Sequence, residues 1–200
     1  MTPYKIAILS STNGTNLQSF IDARERGDLE GIEICCLITD RAMCGAGEKA
    51  RAAGIKVYFI DPKPVSRETY DQSVADTLAF FDVDLVVLGG YMKILGASVV
   101  DKFRGKILNV HPSLLPKFAG GMNLDVHQAV LDAGEAETGM TIHQVTEVLD
   151  GGEIILQKKV AVEEGDTAES LKDKVQTLEK EWYPKVVKMM AEGKDPKELM

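Results

Sequence analysis

The amino-acid sequence predicts an α/β fold: a mainly parallel central sheet flanked by helices, followed by two further strands and one long C-terminal helix. Three observations carry this. Lys5 to Ser10, Ile32 to Thr39, Val57 to Ile60 and Leu85 to Leu88 are apolar runs of strand length, rich in β-branched residues. Helical patterns at about Leu17 to Arg26, Gly45 to Ala53 and Ser66 to Phe80 separate them, the alternation that parallel strands with right-handed crossovers require. Leu171, Val175, Leu178, Trp182, Val186 and Met189 recur three or four apart, the apolar stripe of a docked helix.

The elements follow in order. The first strand runs into Ser11-Thr12-Asn13-Gly14-Thr15-Asn16 and then a helix. Exposed N–H groups at a helix start, the positive end of its dipole and a glycine permitting close approach suit a phosphate ester. Simple capping by Thr15 or Asn16, with Gly14 as a turn residue, accounts for the same pattern. Gly54 stands where a helix C-cap glycine belongs, and Arg67 occupies the first turn of the third helix, a poor place for a cation unless an anion is near. Leu85 to Leu88 is apolar throughout, the mark of a strand covered on both faces. It ends in Gly89-Gly90-Tyr91-Met92-Lys93-Ile94-Leu95, two glycines followed by apolar surface, which fits a ligand lying on the backbone and equally fits loop packing.

After a short helix from about Ser98 to Phe103, Ile107 to Val110 reads as a core strand, and Pro112 ends its ladder near His111. Asn109 and His111, two apart, share a face at the strand's C-terminal end, where open α/β sheets bind ligands. One carries an amide and the other an imidazole that titrates near neutrality. An isolated Asn-x-His also fits a loop-bonding asparagine beside a satisfied histidine. Phe118 to Asn123 reads as a loop, Leu124 to Asp132 as a helix, Met140 to Val145 and the segment from Gly152 to Gln157 as strands, with Asp150 presented by a glycine turn between them. Asp166 with Glu169 predicts a capping box for the last helix, Pro184 a kink or end to it, and Ala191 to Met200 a frayed tail. Gln176 and Glu179 sit at the edge of its stripe.

Composition narrows the function. The 200 residues are 44% hydrophobic and 27% charged, enough for one sizeable core. A formal net charge of −8 offers no long-range attraction to nucleic acid or anionic membrane, so neither is expected as a partner. No apolar run reaches membrane-spanning length, and Met1-Thr2-Pro3-Tyr4-Lys5 shows no signal-peptide pattern, which predicts a cytoplasmic protein. Cys35, Cys36 and Cys44 have neither a disulfide framework nor metal-ligand spacing. His127 and His143 lack a partner at metal spacing; His143 is read as lining the site or backing one of its groups, His127 as a surface residue.

Seven segments together resemble the glycinamide ribonucleotide formyltransferase family, over about the first 190 residues. They are Ser11 to Gln18, Ser66 to Asp71, Gly90 to Leu95, Leu108 to Pro116, Thr138 to His143, Leu149 to Gly152 and Val175 to Glu179. The Asn-x-His-Pro-Ser-Leu-Leu-Pro element with a distant Asp-Gly-Gly is specific for the wider formyltransferase superfamily. The resemblance implies a Rossmann-like fold with C-terminal antiparallel strands. It implies a single domain over residues 1–190, with a phosphate-binding half (1–105), a catalytic and folate-binding half (106–190) and a tail (191–200).

The implied reaction is formyl transfer from 10-formyltetrahydrofolate, as co-substrate, to the amine of glycinamide ribonucleotide, with no metal. Asn109, His111 and Asp150 would be catalytic, with Asp150 raising the pKa of His111 towards or above neutrality. Gly14, Thr15 and Asn16 would take the phosphate, and Gln176 and Glu179 the ribose and glycinamide side. Arg67, Met92, Lys93, Ile94, Leu95, Asn109, Thr146, Glu147, Val148, Leu149 and Asp150 would hold the folate. Thr12 departs from the family's usual glycine, Lys93 from its common arginine, and Phe118 to Val126 is longer than in some relatives. The competing readings are a 10-formyltetrahydrofolate hydrolase and a non-catalytic folate- or nucleotide-binding module. A small homo-oligomer is compatible with the sequence, although no apolar stripe demands one.

Overall fold

A computed structural model describes residues 2–121 and 124–199. The chain forms two compact units, residues 1–108 and 109–200. The expected loop from Phe118 to Asn123 includes Met122 and Asn123, which lie outside the described residues.

In the first unit the strands are β1 (Tyr4–Leu9), β2 (Ile32–Thr39), β3 (Lys56–Phe59) and β4 (Leu85–Leu88), interleaved with α1 (Thr15–Glu25), α2 (Gly45–Ala52), α3 (Arg67–Phe81) and α4 (Ala97–Lys102). They lie in the order β3-β2-β1-β4, and every described pairing is parallel. Ile6, Ala7, Ile8 and Leu9 are completely buried, which is what an uninterrupted apolar strand with helices on both faces requires. α2 ends in a Schellman motif: Ile55 N–H donates to Ala50 C=O and Gly54 N–H to Arg51 C=O, with Gly54 at φ 72°. Ser66 caps α3, its hydroxyl accepting from Thr69 N–H.

The consequence for function lies in the strand order. The chain steps outward from β1 to β2 and β3, then returns to β4 on the other side of β1. That reversal is a topological switch point, and the loops leaving β1 and β4 flank it.

The next strand, β5 (Ile107–His111), begins in the first unit and ends in the second. Beyond it come α5 (Leu124–Asp132), β6 (Glu137–Gln144), β7 (Ile154–Ala161) and α6 (Ala168–Ala191). β6 and β7 pair antiparallel, with a register shift between Ile142 and His143. The fold is thus Rossmann-like α/β, mainly parallel, with antiparallel C-terminal strands and a long C-terminal helix.

Several local expectations change. α6 is capped by Thr167, whose hydroxyl accepts from Ser170 N–H while the Ser170 hydroxyl accepts from Thr167 N–H; Asp166 instead accepts from the Ser170 hydroxyl. The helix does not end at Pro184, because one lost donor is offset by the burial of Tyr183, Val186 and Val187 around it. Its buried row is Leu171, Val175, Glu179 and Tyr183, displaced by one position from the predicted stripe at Leu178 and Trp182. Trp182 lies instead beneath two ammonium groups, Lys158 Nζ at 4.0 Å and Lys185 Nζ at 4.5 Å from its ring centre. As far as Leu199 the tail does not fray: Pro196–Leu199 forms a 3₁₀ turn, and Lys158 Nζ donates to Leu199 C=O; Met200 lies outside the described residues.

Candidate active site

In the second unit four polar side chains converge at the end of β5. The apolar residues around Asn109 and His111 bury the strand, so its alternation sends those two side chains to one face. The turn after β6 brings the acid to them. Asp150 sits at φ 51°, followed by Gly151 and Gly152; a β-carbon on Gly152 would lie 1.8 Å from Gln144 C=O, so the chain can only turn here with glycine.

Asp150 is the hub. Its Oδ2 lies 3.3 Å from His111 Nδ1 and accepts from Gly120 N–H at 2.8 Å, while its Oδ1 lies 3.5 Å from His143 Nε2. His111 Nε2 donates to Phe118 C=O at 3.1 Å. On the other ring, His143 Nδ1 donates to Gln144 C=O at 2.9 Å, so its Nε2 is left as an acceptor and takes a hydrogen bond from Asn109 Nδ2 at 3.2 Å. The structure therefore brings together Asn109, His111 and Asp150, with His143 backing Asn109. The main-chain partners, Phe118 C=O and Gly120 N–H, carry no side-chain signal that a sequence could show.

The electrostatics differ from expectation in one respect. Asp150 and the Phe118 carbonyl both favour the imidazolium of His111, as predicted for Asp150. Burial disfavours it more strongly, and the pKa of His111 lies below the ordinary histidine value. Burial likewise lowers His143, against the raising effects of Gln144 C=O and Asp150. His127, expected at the surface, is also buried: with Val126 and Val130 it forms the inward face of α5, its Nδ1 has no hydrogen-bond partner among the described residues, and burial lowers its pKa.

Of the other residues expected in this unit, Gln176 is half-buried, Glu179 is buried, and Glu147, Val148 and Leu149 are exposed. The Thr146 hydroxyl closes a small turn, accepting from Val148 N–H and contacting Val148 C=O, each at 3.3 Å.

In the first unit the loops leaving β1 and β4 are stapled together. Ser11 N–H donates to Gly90 C=O at 2.9 Å and Met92 N–H to the Ser11 hydroxyl at 3.0 Å. Gly14, at φ 70°, precedes α1 and no side chain caps that helix, so neither Thr15 nor Asn16 is its cap: both lie inside it. Close packing explains the glycines here. A β-carbon on Gly14 would meet Ala46 Cα at 2.6 Å, and one on Gly89 would meet Asn16 Cβ at 2.9 Å. Thr12 puts its hydroxyl where a β-carbon on Gly90 would be 2.5 Å away.

Arg67 donates to Ile94 C=O at 3.0 Å and lies 3.5 Å from the buried carboxylate of Asp71, the anion that its position in the first turn of α3 called for. Lys93 Nζ sits 5.9 Å from the centre of the Tyr70 ring, Ile94 is exposed and Leu95 buried. Cys36 is an inert thiol, its pKa pushed up to about 12 chiefly by burial. No group of three or more His, Cys, Asp or Glu side chains able to hold a metal ion occurs among the described residues.

Comparison with known proteins identifies the family. A family model described as formyl transferase matches residues 4–187. The chain is 41% identical over 191 residues to a phosphoribosylglycinamide formyltransferase of Haemophilus influenzae, covering 95% of this chain and 88% of that protein. It is 39% identical over 190 residues to the enzyme of the same name from Escherichia coli, covering 94% and 88%. Among solved structures, glycinamide ribonucleotide transformylase 1 from Symbiobacterium toebii superposes with a TM-score of 0.90 at 38% identity, over 96% of this chain and 89% of that one. On the match over residues 4–187 and these identities, the chain belongs to the formyl transferase family.

Proposed function

We propose that this protein transfers the formyl group of 10-formyltetrahydrofolate to the amine of glycinamide ribonucleotide, giving formylglycinamide ribonucleotide in purine biosynthesis. The observation that carries the proposal is the placement of Asp150 between two buried imidazoles, 3.3 Å from His111 and 3.5 Å from His143, with the Asn109 amide bonded to the second. Similarity to proteins named for this reaction supports it.

In this reading residues 1–105 supply the phosphate cradle, and residues 106–190 the chemistry and much of the folate site. Gly14, Thr15 and Asn16 take the phosphate, and Gln176 and Glu179 the ribose and glycinamide side. Arg67, Met92 to Leu95 and the Thr146 to Asp150 turn hold the folate. The amine nitrogen attacks the formyl carbon, and the carbonyl electron pair moves to oxygen. The free proton of the Asn109 amide meets that oxygen, the other being engaged by His143.

His111 rests neutral near pH 7, because burial lowers its pKa. It takes the proton that the attacking nitrogen must shed and becomes an imidazolium with an acceptor at each ring nitrogen, Asp150 at Nδ1 and Phe118 C=O at Nε2. The carbonyl then re-forms, the bond to the folate nitrogen breaks, and His111 returns its proton to that nitrogen. These substrates are small, charged and water-soluble, and we place the reaction in the cytoplasm.

The test is a rate assay with glycinamide ribonucleotide and 10-formyltetrahydrofolate, run beside the folate with water as the only acceptor. Formylation of the amine with little deformylation by water is the expected result. Deformylation at the same rate without ribonucleotide would replace the transferase with a hydrolase. No turnover with either acceptor would leave a binding module.

A further inference from the structure

The main-chain carbonyl that meets His111 belongs to Phe118, and the loop leading to it is held by an unusual concentration of side-chain bonds. Thr141 on β6 and Gln157 on β7 stand directly opposite each other across the antiparallel pair. The Gln157 amide donates one proton to Leu115 C=O and the other to the Thr141 hydroxyl, both at 2.9 Å. That hydroxyl accepts a second bond from Leu115 N–H at 3.0 Å and gives its own proton to Ser113 C=O at 2.6 Å. Every proton of the Gln157 amide, and the one proton and both lone pairs of the Thr141 hydroxyl, are committed to the segment after His111 or to each other. The fully buried Ser113 hydroxyl then donates to Lys117 C=O at 2.8 Å, one residue before the carbonyl that receives His111.

A network satisfied in this way has one low-energy arrangement, since any displacement leaves a buried donor or acceptor without a partner. Gly139 adds a steric register: a β-carbon there would lie 2.9 Å from Leu114 Cδ2 and 2.0 Å from Lys158 C=O, so the loop packs directly on the β6 backbone.

We infer that Gln157, which touches neither reacting group, is a positioning residue for His111, acting through Thr141 and residues 113–118 to fix the carbonyl at the imidazole's Nε2. The inference rests on the assignment of His111 as the proton carrier. The titratable groups acting with that ring are Asp150 beside it, and His143 on β6 and His127 on α5, whose own titrations feel it. With the carbonyl misplaced, the imidazolium loses one of its two acceptors and becomes harder to form.

The experiment is Gln157→Leu, which keeps the volume and removes both donors, assayed with both substrates across pH. The expected result is a fall in kcat of about ten- to a hundredfold, the scale for a small misplacement of a reacting group, with KM little changed. The acid limb of kcat moves to lower pH, because the carbonyl that favoured the imidazolium is gone. In a His111→Ala background the same substitution has no further effect, since its only route of action is absent.

Gln157→Asn, which withdraws the amide by one methylene, is the milder second variant should the leucine fail to fold. A folded Gln157 variant with parental kcat and acid limb overturns the inference, as does an equal proportional loss in the His111→Ala background. If His111→Ala itself transfers formyl at the parental rate, the assignment of His111 fails instead, and the two failures are told apart by that single control.

Discussion

Asn109 donates from Nδ2 to Nε2 of His143 at 3.2 Å, and His143 can accept only because its Nδ1 is committed to the Gln144 carbonyl. The asparagine amide is therefore held in one orientation, with one proton engaged and one to offer. Asn109→Ala should lower kcat by about a hundredfold to a thousandfold, the usual loss for an oxyanion donor. His143→Phe, which removes the acceptor but fills the space, should cause a smaller loss of about tenfold or more through a misaimed amide. The double variant should be no slower than Asn109→Ala, and steady-state kinetics on the three proteins decide this.

The pH dependence of turnover follows from the burial of His111. Its pKa lies below the ordinary value of about 6.5, so the ring is neutral at pH 7 and can accept a proton. Turnover should be flat through neutral pH and fall only on the acid side of the ordinary histidine value, where the depressed pKa lets the resting ring take a proton. A rate that instead declined on the alkaline side of neutrality would mean that the resting imidazolium is the active form.

Stability should fall in the same direction. His111, His127 and His143 all have folded pKa values depressed by burial. Between those depressed values and the unfolded value near 6.5 the unfolded chain binds more protons, so their contribution is present above pH 6.5 and is lost as pH falls. Melting temperatures measured by circular dichroism should drop on acidification from pH 7 to pH 5. His127→Leu, which removes one such group and its unpartnered Nδ1, should drop less.

A side chain at Gly90 should be costly. Its φ is 69°, and a β-carbon would meet the Thr12 hydroxyl at 2.5 Å. Gly90→Ala should destabilise the protein by roughly 1–3 kcal/mol through left-handed strain alone, and raise KM for the ribonucleotide by displacing the Ser11–Gly14 loop. Adding Thr12→Gly should recover the steric part and leave the backbone part. Denaturant unfolding with KM measurement on the single and double variants separates the two.

How much of this was legible in the sequence depends on what each feature is made of. The parallel strands of the first unit were, because four residues buried on both faces, as in Ile6 to Leu9, must all be apolar. Asn109 and His111 were, because strand geometry alone puts them on one face. The direction of the His111 shift was not: Asp150's attraction can be inferred from charge, but its weight against burial depends on how tightly the ring is enclosed. The burial of His127 is not legible for a similar reason, since the helix phase that turns it inward is set by tertiary packing. The same holds for α6, where one polar residue, Glu179, lies in the buried row and shifts it by a position. Phe118 C=O and Gly120 N–H are backbone groups, and any residue could have supplied them.

Asp150 occupies a left-handed backbone conformation with φ 51°, which Asp, Asn and Gly enter readily and other side chains resist. The acid's chemistry and the shape of its turn are thus bound up in one choice of residue. Over evolutionary drift the position has very few neighbours to wander into: glutamate would keep the charge and disturb the turn, whereas asparagine would keep the turn and silence the charge. A deep mutational survey should find this codon nearly closed, with Asp150→Asn and Asp150→Gly folded but impaired, and the asparagine, which alone keeps the side chain's shape, separating what the carboxylate does from where it stands.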